Sequence, residues 1–221
     1  LESTHPAFAF HLTGPVVGGA TFGEATKGDL KTIMPGMAAL ILLLLILMLR
    51  SWGGVMGTVA VVVAATLTAM GISGWAGFVL NPGSAAAPSI ILTLAIADSV
   101  HLVSGVRHAM ARGLEKPAAI AESLRLNLWP IFLTSATTAA GFLTMNASAS
   151  PPFRDLGNIT AIGVAAAFIY SVTLLPALLS MLPMGQKGRT GIKQKIMATI
   201  GAAIVRRRWP LFAAITVVAL G

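Results

Sequence analysis

The sequence predicts an all-α membrane protein, a polytopic bundle of transmembrane helices with a short remnant of an external α/β domain. Three observations support this fold class. Of 221 residues, 56% are hydrophobic and only 10% are charged, whereas soluble domains average about 25% charged residues. Five windows are long and apolar enough to cross a bilayer, which takes about 20 residues. The basic residues, finally, gather in loops on one side of those windows.

The apolar windows define the domain organisation that we predict. Residues 1–30 form the end of an external, periplasmic domain, and residues 31–183 form a bundle of five transmembrane helices. Residues 184–208 form a cytoplasmic linker, and residues 209–221 start a further transmembrane helix. Because the chain begins without methionine and ends inside an apolar run, we expect it to be part of a longer protein. The five windows are residues 32–49, 54–80, 85–106, 126–145 and 157–182.

The first thirty residues are less apolar than the windows. The stretch FAFHLTGPVV resembles a short strand that ends in a Gly-Pro turn. The stretch TFGEATKGDLKTIM predicts a helix that leads into the first span, and Thr21 and Glu24 have the spacing of a capping box. These patterns indicate the tail of an external domain.

The distribution of lysine and arginine predicts the orientation. If the spans alternate in direction, twelve of the fifteen basic residues fall on one side. The positive-inside rule places that side in the cytoplasm, so the first span runs from outside to inside. The net charge of +8 therefore serves topology, and no nucleic-acid partner is predicted. The twelve are Arg50, Arg107, Arg112, Lys116, Arg125, Lys187, Arg189, Lys193, Lys195, Arg206, Arg207 and Arg208.

A polar segment between the third and fourth windows is also predicted to be helical. The residues from about 109 to 125 are too polar to span a bilayer, and Pro117 suits the first turn of a helix. Ile120, Leu124 and Leu128 repeat every four residues, while Glu122 lies on another face. We expect a helix on the cytoplasmic surface of the membrane.

The third window contains an ionisable pair in the stretch LAIADSVHLVSG, residues 94–105. Asp98 lies within about 3 Å of the middle of the span at 1.5 Å per residue. A carboxylate there costs at least about 2.5–3.5 kcal/mol, so it faces the bundle interior and often belongs to a proton or ion pathway. His101, one helical turn further on, lies on the same face. We predict that the pair forms a proton relay. The alternatives are a permanently neutral Asp98 that only hydrogen-bonds between helices and a His101 that only bonds a neighbouring hydroxyl or carbonyl.

Hydroxyl side chains provide candidate hydrogen-bond partners for Asp98. The fourth window reads LTSATTAAGFLTM and presents Thr134, Ser135, Thr137 and Thr138 on several faces. Thr134, Thr137, Thr138 and the neighbouring Ser99 are the partners that we single out. The alternative is that small and hydroxylated residues serve only close helix packing.

Motifs of other chemistry are absent from the sequence. There is no Walker loop, no HExxH motif and no readable Ser-His-Asp set, and there are no cysteines. We therefore predict that the protein is not an enzyme and that it takes no cofactor and no metal.

Three segments resemble the RND superfamily of transporters, most closely its MMPL-like and hopanoid-transporter branch, which is related to sterol-sensing-domain and Patched-type proteins. They read ADSVHLVSGVRHAMARGLEKPAAIAESLR, WPIFLTSATTAAGFLTM and SPPFRDLGNITAIGVAAAFIYSVTLLPALLSMLP. The resemblance is strong over residues 85–183. It implies a truncated RND-type half that holds helices two to six, and the start of seven, of a twelve-helix transporter.

The resemblance also implies a function and roles for single residues. Members export lipids or other hydrophobic and amphiphilic molecules with the proton gradient, across the bacterial cytoplasmic (inner) membrane. Asp98 falls where the family carries its proton-binding acid, and His101 where this branch often has histidine. Many relatives carry two acids, or an acid followed by tyrosine, but here Asp98 is flanked by Ala97 and Ser99. This departure leaves the number of protons open.

The leading hypothesis is accordingly a multi-pass exporter driven by the proton-motive force. Its implied partners are membrane lipids, a hydrophobic or amphiphilic substrate, the remaining half of the transporter and further copies in an oligomer. Two alternatives belong to other classes: a non-transporting sterol- or lipid-sensing module, and an accessory subunit of a SecD/SecF-like translocase.

Overall fold

The computed structural model describes residues 14–78, 81–184 and 206–207. The chain divides into two units, Leu1–Gly185 and Gln186–Gly221, and every helix described here belongs to the first. No strand occurs among the described residues. The helices are α1 (Pro15–Leu49), α2 (Trp52–Trp75), α3 (Ala87–Ala111), α4 (Lys116–Leu143), α5 (Pro151–Val172) and α6 (Leu174–Met181), with a 3₁₀ turn at Thr144–Ala147.

Proline starts most of these helices. It occupies one of the first two positions of α1, α3, α4 and α5. Its fixed φ suits a helix, and its missing N–H would have no partner in the first turn. The start of α2 is different: Ser51 caps it, and its Oγ accepts a hydrogen bond of 3.3 Å from the Gly54 N–H.

Four helical segments are long and apolar enough to span a membrane. They are α2, α3, the segment Lys116–Ala147, and the segment Pro151–Met181 that comprises α5 and α6. The first predicted window corresponds to a shorter apolar helix, Pro35–Leu49, within α1. The prediction of an all-α, multi-pass membrane bundle is thus confirmed.

The fifth predicted span, residues 157–182, is one window in the sequence but comprises two helices, α5 and α6, in the structure. The break falls at Thr173, which has φ −114° and ψ −64°. Pro176 explains its position, since a proline ring clashes with the carbonyl four residues earlier, here that of Val172.

The N-terminal predictions need correction. The predicted strand falls largely on residues outside the described ones, but from Pro15 onward the chain is helical, and the Gly-Pro pair starts a helix. The predicted capping box at Thr21 and Glu24 is wrong. Because Pro15 starts α1 earlier, Thr21 lies within the helix, and its hydroxyl donates to the Val17 carbonyl at 3.0 Å.

The boundaries predicted for the surface helix are also wrong. Residues 109–111 belong to α3, which is followed by a turn with Gly113 at φ 97°. From Lys116 the chain runs as one helix, α4, into the predicted fourth span without a break. The reason is tertiary: Ala119 and Ser123 are buried, so this segment packs into the bundle. Its location at the membrane surface stays a prediction.

Helix α5 packs against α2, α3 and α4, and glycine makes its closest approaches possible. A methyl group on Gly157 would collide with the carbonyl oxygen of Phe142 in α4. A methyl group on Gly163 would collide with the side chain of Ile91 in α3. Small residues let membrane helices approach closely, as in these two contacts.

Several hydroxyls inside the bundle have no hydrogen-bond partner among the described residues. Ser73 of α2, Ser99 of α3, and Thr160 and Ser171 of α5 share this state. Each is at most 3% exposed. The interfaces between these three helices therefore include polar groups that no side chain satisfies.

Two basic side chains hold helix ends together on the side predicted to face the cytoplasm. The Lys116 ammonium group donates to the carbonyls of Ser180 and Leu182, at 2.6 and 2.9 Å. Arg107 donates to the carbonyl of Leu49, the last residue of α1. Cations suit these places because the last carbonyls of a helix lack partners and carry partial negative charge.

We expect Lys116→Met to destabilise the folded protein by about 1–3 kcal/mol, because two carbonyls at the end of α6 lose a charged donor. Thermal unfolding of the purified full-length parent would measure the loss. Arg125→Met is the matched control, since Arg125 is exposed and, among the described residues, pairs only with Glu122 on its own helix. Equal stability of the Lys116→Met variant and wild type would contradict the prediction.

Candidate functional site

Asp98 lies on the buried side of α3, where its side chain meets α4. Only 7% of the residue is exposed. The hydroxyl of Ser135 in α4 donates to its Oδ2 at 3.3 Å. A carboxylate in this position is removed from water and receives one side-chain hydrogen bond among the described residues, so its charge is poorly compensated.

The side of α4 that faces α3 is defined by buried residues spaced by multiples of four. Ser123, Ile131 and Ser135 are the buried residues of α4 beyond its first turn. The Ser123 hydroxyl donates to the Leu102 carbonyl at 2.8 Å. Opposite it lies Gly105, where a methyl group would collide with the Ser123 hydroxyl. This close contact brings Ser135 within reach of Asp98.

A cleft of about 130 Å³ opens between α3 and α4 beside Asp98. Its walls combine apolar side chains with a carboxyl, an imidazole, an amide and a hydroxyl. A space of this size and polarity can hold water. The lining residues are Leu94, Ala97, Asp98, His101, Asn127, Pro130, Ile131 and Thr134.

His101 shares this cleft and is exposed. It lies one turn from Asp98, near enough for an electrostatic interaction between them. The two do not form an ion pair within 4 Å; the described residues contain one such pair, Arg125 with Glu122. The buried carboxyl and the exposed imidazole thus lie at different depths of one cleft, although their role as a proton relay stays a prediction.

The hydroxyls predicted to bond Asp98 have other positions or other hydrogen-bond partners. The Thr134 hydroxyl lines the cleft but donates to the Pro130 carbonyl at 2.8 Å. Thr137 is exposed, and its hydroxyl donates to the Leu133 carbonyl at 2.8 Å. Thr138 lines a separate apolar groove, and the buried Ser99 hydroxyl has no partner among the described residues. Ser135, a further hydroxyl of that window, is the one that donates to Asp98.

Asn127 is a cleft residue that the sequence analysis did not single out. Its amide donates to the Ser123 carbonyl at 2.8 Å and lines the same cleft. The available signal was its position: an asparagine seven residues before Thr134, close to two helical turns, lies on nearly the same face of a helix. Among the described residues, no group of three or more His, Cys, Asp or Glu side chains could hold a metal ion.

Comparison with known proteins identifies the family of this chain. The pattern that defines the MMPL family matches residues 2–218. The chain belongs to the MMPL family. The resemblance seen in the sequence is therefore confirmed.

Three relatives of this MMPL chain have names that describe transport. This chain is 29% identical over 205 residues to the probable transport protein MmpL12 of Mycobacterium tuberculosis. The alignment covers 89% of this chain and 18% of that protein. The chain is 30% identical over 210 residues to the sulfolipid-1 exporter MmpL8 of the same species, or 89% of this chain and 19% of the exporter. It is 38% identical over 79 residues to the hopanoid transporter HpnN of Rhodopseudomonas palustris, or 35% of this chain and 9% of the transporter.

The chain spans less than a fifth of the length of these three relatives. No solved structure matches it significantly.

Proposed function

We propose that the full-length parent of this MMPL chain exports lipid-like or other hydrophobic and amphiphilic molecules, driven by the proton-motive force. The observation that carries the proposal is the buried carboxyl of Asp98 on a membrane-spanning helix, beside a polar cleft. Ionisable groups at this depth are costly, and they mark proton and ion pathways in pumps and transporters.

Protonation would change the contacts of Asp98 in a defined way. The ionised carboxylate only accepts hydrogen bonds, and Ser135 supplies one. The protonated acid also has an O–H to donate, and it no longer carries a charge that needs compensation. A proton can drive a conformational change only if the two states differ in such contacts. The α3–α4 interface supplies that difference.

The cleft provides a route for the proton. His101 is exposed at the cleft, and an imidazole can both accept and donate a proton. Thr134 and the amide of Asn127 line the space between α3 and α4 that also contacts Asp98. In the orientation predicted from the basic loops, His101 is nearer the cytoplasm than Asp98. We therefore assign His101 to the cytoplasmic end of the relay.

The substrate class rests on the relatives. One is named for sulfolipid-1 and another for hopanoids, and both of these are lipids. We extend that class to this chain, together with a location in the bacterial inner membrane. Membrane lipids, the remaining half of the transporter and further copies of the protein complete the set of proposed partners.

The test is export by the full-length parent in liposomes with an imposed proton gradient. A labelled lipid enclosed in the vesicles would be followed as the gradient is applied and then collapsed with a protonophore. We expect export only while the gradient exists. Lipid binding without any dependence on the gradient would contradict the proposal and favour a lipid-sensing module.

We expect Ser135→Ala to slow proton-driven export about fivefold, because a hydrogen bond is worth about 1 kcal/mol. The alanine keeps the helix and removes only the donor to Asp98. Thr137→Ala is the matched control on the same helix, since that hydroxyl bonds its own backbone. Initial export rates in the same liposomes measure the effect. Equal rates for both variants would show that Ser135 does not act through Asp98.

A further inference from the structure

Two arginines meet where α1 ends. Arg107 of α3 donates from Nη1 to the carbonyl of Leu49, which is fully buried. Arg50 follows directly and closes the helix in a left-handed conformation, with φ 44° and ψ 31°. Its own N–H donates to the Ile46 carbonyl at 2.9 Å. The end of α1 therefore places the Arg50 side chain close to Arg107, and the two repel each other electrostatically.

No acidic side chain compensates this pair in the described part of the chain. Neither arginine has a carboxylate within 4 Å, and the Arg50 side chain makes no hydrogen bond there. Two other arginines on this side, Arg125 and Arg112, differ. Arg125 forms an ion pair with Glu122 at 3.0 Å, and Arg112 also interacts electrostatically with Glu122. Of these four arginines, the charges left without a counter-ion are those of Arg50 and Arg107.

The position of the pair points to one kind of anion. Arg50 terminates an apolar helix whose Met48 is 66% exposed, and the next tryptophan, Trp52, is 67% exposed. Exposed tryptophan beside the end of an apolar helix marks the level of the lipid headgroups. A guanidinium has five N–H donors in a planar fork that matches phosphate oxygens, and Arg107 uses one of them on Leu49.

We propose that Arg50 and Arg107 together bind the phosphate of an anionic phospholipid in the cytoplasmic leaflet. The phosphate would lie between the two guanidinium groups and remove their mutual repulsion, while the acyl chains would follow the apolar surface of α1. Bound lipid would thereby stabilise the contact between α1 and α3. This site is separate from the Asp98 cleft and does not depend on the transport proposal.

The test uses the purified full-length parent in detergent, titrated with fluorescent phosphatidylglycerol and with phosphatidylcholine of the same acyl chains. We expect tighter binding of phosphatidylglycerol. Arg50→Gln should weaken that binding about fivefold, since a basic residue near the headgroups is worth about 1 kcal/mol. It should leave the binding of phosphatidylcholine unchanged. The Arg50 side chain is exposed and makes no hydrogen bond or ion pair among the described residues, and an unchanged elution profile would confirm the fold.

Arg125→Gln is the matched control, because it removes one positive charge from the same side but from a residue that has an acidic partner. An equal loss of affinity in both variants would overturn the proposal, since net charge alone would then explain binding. No loss in Arg50→Gln would overturn it as well. An excess of inorganic phosphate should not displace the lipid; displacement would identify a site for free phosphate instead.

Discussion

We expect Asp98→Asn to reduce proton-driven export by the full-length parent to the level of vesicles without protein. Asparagine has nearly the same shape as aspartate, and its carbonyl oxygen can still accept the hydrogen bond from Ser135. It cannot bind or release a proton. The two protonation states that would drive movement at the α3–α4 interface then no longer exist. Initial rates in liposomes with an imposed gradient measure the effect.

Two variants sharpen this test. Asp98→Glu keeps a titratable carboxyl and should retain part of the export. Thr137→Val removes an exposed hydroxyl that bonds only the backbone of its own helix, and it should export like wild type. Export at the wild-type rate by a correctly folded Asp98→Asn variant would refute a coupling role. Asp98 would then serve to join α3 and α4, and the driving force would act through other residues.

A large effect on stability is expected from Gly157→Ala. A methyl group there would collide with the Phe142 carbonyl oxygen and would lie 3.0 Å from Cβ of Met145. The obstacle is backbone, which cannot rotate away as a flexible side chain does, so α4 and α5 would have to separate. Overpacking of this kind typically costs about 1–3 kcal/mol. Thermal unfolding of the purified protein would measure the loss.

Gly141→Ala provides the matched comparison on the facing helix. A methyl group at Gly141 meets nothing within 4 Å. Because alanine favours a helix over glycine by up to about 1 kcal/mol, this variant should be as stable as wild type or more stable. If Gly157→Ala were equally well tolerated, the close contact between α4 and α5 would not contribute to stability.

The fold could be predicted from sequence because its main signal is local. Runs of about twenty apolar residues mark the spans of α2 and α3 whatever lies around them. The errors arose where neighbours decide the outcome. Nothing local shows that the segment from Lys116 is continuous with the following span, since its buried side depends on packing against α3 and α6.

The site was predicted in part for the same reason. Asp98 was recognisable because a carboxyl in an apolar run is costly wherever the helix packs. The hydrogen-bond donor to Asp98 was not recognisable, because α4 presents four hydroxyls within five residues, Thr134 to Thr138. Only the rotation of α4 about its axis decides which of these hydroxyls faces α3. The helix is apolar on most sides, so hydrophobic periodicity does not fix that rotation.

The unsatisfied hydroxyls inside the bundle have a consequence for movement. Side-chain hydrogen bonds join α3 to α4 through Ser123 and Ser135, and α2 to α5 through Thr68 and Tyr170 at 2.9 Å. Among the described residues, none joins α3 to α5, although the two helices pack closely. The interface between α3 and α5 can therefore slide without breaking a side-chain hydrogen bond. The directional links between the two helix pairs lie at their ends, where Asn146 and Asn158 exchange hydrogen bonds of 2.8 and 3.0 Å and Lys116 of α4 bonds the end of α6.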